Sequence, residues 1–121
     1  MKVSLGRDHV PDVVEIDEYD LWDLDYTLAH IIHPALVKLK NTAHGWFLVD
    51  NKDVPSRLRD DGTPDSIEAY TERKWNWVMD EMIWSFEQVL SQKAETDKRT
   101  RENRIKHGLI LFGKYYRCLW N

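Results

Sequence analysis

The sequence predicts a mainly α fold, a compact bundle of about three helices, and three observations lead to that class. Apolar residues recur at helical spacing over three long stretches. Strand-like patterning is confined to the first nineteen residues. A chain of 121 residues that is 42% hydrophobic and 31% charged can bury one core and solvate its exterior, so residues 1–121 read as a single domain.

The first nineteen residues carry two β-like patches, Val3-Ser4-Leu5 and Val13-Val14-Glu15-Ile16, separated by Gly6 and Pro11. They predict a short arm paired as a small ribbon and laid on the helices. The first helix is expected over residues 22–40, capped by Asp20 or Asp23, with Leu21, Leu24, Leu28, Ile32, Ala35, Leu36 and Leu39 along one face. Pro34 lacks a backbone N–H and crowds the preceding turn, so a kink is expected between His30 and Pro34. Residues 41–65 form a long connection punctuated by Gly45, Pro55, Gly62 and Pro64. Its run Trp46-Phe47-Leu48-Val49 is too apolar to stay in water and should pack across the bundle. Thr63-Pro64 announces the second helix, 66–93, with Thr63 as cap. Its core stripe is Trp75, Val78, Met79, Met82, Phe86, Val89 and Leu90. The third helix, 98–119, aligns Ile105, Leu109, Phe112, Tyr115, Tyr116 and Leu119. Gly108 costs stability in mid-helix, and its expected use is to let another helix approach closely.

Composition excludes several function classes. The net charge of −4 lacks the basic footprint of a nucleic-acid binder. The basic run 98–106 is interrupted by Glu102 and reads as a solvated helix face. No segment approaches the roughly 18 apolar residues of a membrane span, and the opening residues lack the apolar stretch of a signal peptide. The single cysteine, Cys118, leaves no internal disulfide and reads as a packed thiol. A cytoplasmic protein is expected. The five histidines form no zinc-binding spacing, no serine sits in a nucleophile elbow, no glycine cluster cradles phosphate, and residues 50–53 fail the calcium-loop pattern. No cofactor is assigned.

Two places remain chemically odd. Asp25 falls on the apolar face of the first helix between Leu21, Leu28 and Ile32, where a carboxylate needs a partner or shifts its pKa. On the second helix Asp80, Trp84 and Glu87, with Trp77 beside them, occupy the side away from the core stripe. Six tryptophans are many for 121 residues, and two of them left among acids call for a cover. Asp80 and Glu87 lie two turns apart and are the candidate metal ligands, although no Glu-x-x-His spacing accompanies them.

Three blocks, residues 22–29 (WDLDYTLA), 77–88 (WVMDEMIWSFEQ) and 111–120 (LFGKYYRCLW), are joined by HGW at 44–46 and VDNKDVP at 49–55. Together they resemble a family of small uncharacterised proteins from tailed phages and marine viral metagenomes. That resemblance implies a viral origin and action inside an infected bacterium, and it carries no activity, cofactor or catalytic residue. Two readings follow. In the first, a non-enzymatic binding or assembly protein uses Trp77 and Trp84 as anchors for a homodimer mate or protein partner, with Asp25, Asp80 and Glu87 at the rim. In the second, a small metal- or nucleotide-binding enzyme uses Asp25, Asp80, Glu81 and Glu87 in an acidic, aromatic-walled pocket.

Overall fold

A computed structural model describes residues 1–91 and 98–121. The expected ribbon forms: β1 (Lys2–Ser4) and β2 (Val13–Glu15) pair antiparallel, with Val3 opposite Val14. Gly6 is required at its end, because a Cβ there would stand 1.8 Å from the Val10 carbonyl oxygen. The ribbon touches the helices at its start, where the Met1 ammonium donates to Asp20 at 2.8 Å and Met1 and Val3 share an open recess with Tyr26 and His30, but all six strand residues are exposed.

The expected first helix, 22–40, forms two residues later, and a short helix precedes it. Asp17 caps α1 (Glu18–Trp22) through a reciprocal box: the Asp20 N–H donates to the Asp17 carboxylate at 3.1 Å, and the Asp17 N–H donates to the Asp20 carboxylate at 2.9 Å. Asp23, with φ −130° and ψ 60°, breaks the chain direction, and α2 (Leu24–Thr42) follows. Asp23 occupies the cap position of α2 without a side-chain cap bond. The helix continues unbroken through Pro34.

Residues 43–63 cross the bundle through two single 3-10 turns, Asn51–Asp53 and Ser56–Leu58. Of its apolar run, Val49 is buried and Phe47 half-buried, whereas Trp46 and Leu48 are exposed. Thr63 caps α3 (Pro64–Ser91), accepting from the Ser66 N–H at 3.3 Å. Positions 92–93, expected to finish this helix, lie outside the described residues. Then α4 (Lys98–Tyr115) runs into a 3-10 turn at Tyr116–Cys118.

The central element is α3, which packs against both α2 and α4. Its stripe Trp75, Val78, Met79, Met82 and Phe86 is buried as the periodicity predicts. On α4 the inward face is Ile105, Gly108, Leu111 and Tyr115, so Leu109 and Tyr116 are exposed rather than packed. Gly108 sets this rotation: a Cβ there would stand 1.8 Å from the Ser85 hydroxyl and 2.8 Å from the Glu81 carbonyl oxygen. The Arg101–Gln88, Arg104–Glu81 and Tyr115–Trp75 contacts climb one helix as they descend the other, which makes α3 and α4 antiparallel. Cys118 is half-buried against the core, and no described helix is long and apolar enough to cross a membrane.

Candidate interaction surface

The fold disperses the residues singled out from the sequence. Asp25 is exposed, not buried, because on α2 the first buried side chain is Ala29, one turn further on. Its helical register marks a face, but nothing of the core reaches that level. Asp80 pairs with Lys40. Fifteen residues separate Lys40 from Asp25, about 22 Å along the helix, so Asp25 and Asp80 do not share a site. Glu87 is exposed. Among the described residues no three His, Cys, Asp or Glu side chains converge to hold a metal ion.

Trp77 and Trp84 are half-buried rather than exposed, and α4 is what covers them. The Arg104 guanidinium lies over the Trp84 ring, 3.9 Å from its centre, and bonds the Glu81 carboxylate at 3.1 Å. His107 stands 6.2 Å from Trp77, ring centre to ring centre. The tryptophans and Glu81 therefore serve the α3–α4 seam. We expect Arg104→Ala to cost about 1 kcal/mol and to shift tryptophan emission to longer wavelength as Trp84 meets water. Unchanged emission would show that Arg104 does not cover the ring.

Two polar clusters hold the 43–63 connection in place, and neither stood out in the sequence. Lys74 on α3 is buried, with its side chain 5% exposed, and donates to Asp60 and Asn51 at 2.8 Å each. Asn51 in turn clasps the Asp60 backbone, donating to its carbonyl at 3.0 Å and accepting its N–H at 3.1 Å. The bond from Lys74 holds the Asp60 carboxyl below the usual carboxylate range. At the other end Lys114 and the Tyr115 hydroxyl both donate to Asp53 at 2.5 Å, and Lys114 reaches Asp50 at 2.7 Å. Burial pushes the Asp53 carboxyl up, and those two donors outweigh it and hold it down. Tyr115 is pushed up to about 12, first by burial and then by its bond to Asp53. These groups satisfy one another and clamp the connection to α3 and α4. Above the clamp, Trp46, Phe47 and Trp120 wall an open recess of about 380 Å³ beside His44 and Asn121.

The least satisfied part of the molecule is its first third. None of residues 1–28 is buried. Eleven large apolar side chains in residues 1–31 are 38–76% exposed, among them Leu5, Val14, Ile16, Leu21 and Trp22. At half exposure each presents on the order of 70 Å². Together that is roughly 800 Å², spread over both faces of the ribbon, α1 and the start of α2. A two-stranded ribbon with both faces wet is at best marginal in water. The same stretch is acidic, with eight carboxylates against two cations in residues 1–25, a net charge of −6. Comparison with known proteins offers no precedent for this arm or for the bundle behind it: no family model, no curated protein and no solved structure matches the chain.

Proposed function

We propose that this is a non-enzymatic assembly protein: residues 1–28 are its docking element, and the α2–α3–α4 bundle is the scaffold that presents it. One observation carries the reading, an acidic arm whose large apolar side chains stay exposed, none of residues 1–28 being fully buried. Free energy of about 25 cal/mol per Å² is available wherever that surface is covered. The half-buried Trp77 and Trp84 are already engaged by α4, so the anchors of the docking surface are Leu21 and Trp22 in their place. The resemblance of residues 22–29, 77–88 and 111–120 to phage proteins supports placing this assembly in an infected bacterium. The competing enzyme reading, with a metal or nucleotide held by Asp25, Asp80, Glu81 and Glu87, is less supported because Asp25 is remote from the other three and Asp80 and Glu81 are paired to cations.

If the arm is a docking element and not part of the core, a chain lacking residues 1–23 will melt in dilute solution within about 4 °C of the full chain, a difference below 1 kcal/mol. A fall of roughly 10 °C or more would make the arm part of the fold and remove the proposal.

A further inference from the structure

The surface complementary to the arm is on the same chain, at the far side of the bundle. Between Lys98 and Arg117 seven cations stand against one carboxylate, a net charge of +6, to set against −6 in residues 1–25. Some of these cations turn inward: Arg101 bonds Gln88, Arg104 bonds Glu81, and Lys114 bonds Asp50 and Asp53. Lys98, Arg99, Lys106 and Arg117 are exposed. At ~100° per residue Arg99, Lys106, Ile110 and Gly113 form one outward stripe. Ile110 is 65% exposed on it, and the chain continues from there to Tyr116, 61% exposed. The outer face of α4 is thus basic and apolar where the arm is acidic and apolar.

Gly113 adds an independent sign. Glycine inside a helix costs stability relative to alanine, and it leaves room for a close approach. Gly108 has that use within the chain, against Ser85. Gly113 has none, since a Cβ there would meet nothing within 4 Å. The outer face of α4 is therefore open to close approach at Gly113.

We infer that the N-terminal arm of one copy docks on the outer face of α4 of a second copy, reciprocally, in a two-fold dimer. This rests on the assembly reading above and names the partner. Within one chain α3 packs against both α2, which carries the arm, and α4, while α2 and α4 have no comparable contact, so the match of charge falls to a second copy. Two reciprocal contacts of this kind close the assembly at a dimer. Opposed charge in partly apolar surroundings sets register and speeds encounter, and it weakens with salt.

The test is sedimentation velocity of the full chain across the micromolar range, with circular dichroism confirming that each variant is folded. The wild type should be a dimer. Reversing the α4 face by Arg99→Glu with Lys106→Glu, or the arm by Glu18→Lys with Asp25→Lys, should raise the dissociation constant about 100-fold in either case. Combining both reversals in one chain restores complementarity and should return the constant to within about tenfold of the wild type. Gly113→Ala should raise it about tenfold without lowering the melting temperature, and this keeps the inference falsifiable if a reversal unfolds the chain. A dimer untouched by the reversals or by Gly113→Ala, or one not regained in the combined variant, overturns the arm–α4 contact while an assembly role stands. A wild type monomeric throughout overturns the second copy as partner. The melting of the chain lacking residues 1–23 then decides separately whether the arm is a docking element at all.

Discussion

Gly108→Ala is expected to lower the stability of the bundle by about 3 kcal/mol, a drop of roughly 12 °C in melting temperature for a domain of this size. The added methyl would stand 1.8 Å from the Ser85 hydroxyl, 2.7 Å from the Ser85 Cβ and 2.8 Å from the Glu81 carbonyl oxygen. A hydroxyl can rotate away, but a Cβ and a backbone carbonyl cannot, so the two helices must separate. Separation loosens Met82, Phe86 and Leu111 together, because they belong to one buried core cluster. The substitution also carries an opposing gain, since alanine is favoured over glycine in a helix by about 1 kcal/mol. Gly113→Ala isolates that gain: with nothing within 4 Å, it should raise the unfolding free energy of dilute protein by about that amount. The same replacement five residues apart on one helix therefore has opposite signs, and chemical denaturation of the two variants measures both. Equal effects at the two positions would mean that α3 and α4 are not in close contact at Gly108.

Ser85 shows what that contact costs the chain. Its hydroxyl is fully buried, and among the described residues it has no hydrogen-bond partner. A buried hydroxyl without a partner is unfavourable by 1 kcal/mol or more. The residue is nonetheless small, and small residues on facing turns let two backbones approach. The close fit of Gly108 against Ser85 thus offsets a polar atom left unsatisfied, and the role of Gly108 was readable from its place in the middle of an apolar stripe.

The helices were legible where periodicity and punctuation agreed. Trp75 to Phe86 repeats at helical spacing over several turns, and Thr63-Pro64 marks the start of α3 with a cap and a fixed φ, so both the stripe and the boundary could be placed. The first helix was less legible because its expected caps were Asp20 and Asp23, whereas the residue that caps α1 is Asp17. The choice between them depends on the reciprocal bonds of Asp17 and Asp20, which spacing alone cannot rank. Periodicity also assigns a face without saying what the face meets. For that reason the spacing sets Asp25, Leu21 and Leu28 on a core face that has no core at their level, and it marks Trp77 and Trp84 as needing a cover without naming α4. The clamp on the connection was illegible for a different reason. Lys74 is joined to Asn51 and Asp60 across 23 and 14 residues, a tertiary match that no local pattern encodes. The arm's pairing was readable from two β-like patches, but its lack of cover could be seen only once the bundle had closed without it.

Removing the clamp's cation should have an effect as large as that of Gly108→Ala, and its dependence on pH should identify the cause. Lys74→Met keeps the aliphatic stem and deletes the charge, leaving the Asp60 carboxylate, 9% exposed, without its cation and the Asn51 side-chain oxygen without that donor. Breaking a buried pair from one side is far costlier than replacing both partners, because the remaining charge keeps its desolvation. We expect the melting temperature at neutral pH to fall by roughly 10 °C. In the wild type, Lys74 holds Asp60 below the ordinary value of 3.8. The stabilisation is therefore complete above that value and is lost as the pH falls through it, where the unfolded chain takes up the proton first. In Lys74→Met the lowering that the cation supplies is gone, while the Gly62 N–H still donates to the carboxylate. The gap between the two proteins should consequently be widest at neutral pH and narrow steadily below about pH 4. Melting curves recorded from neutral to acid pH read this directly. A gap that does not change with pH would assign the loss to packing around the lysine stem, and no loss at all would mean that water already solvates Asp60. Because Asn51 and Asp60 fix both ends of the turns that bury Val54 and Leu58, a Lys74→Met chain should also expose the Trp46–Phe47 segment to proteolysis before the helices melt, which separates failure of the clamp from failure of the bundle.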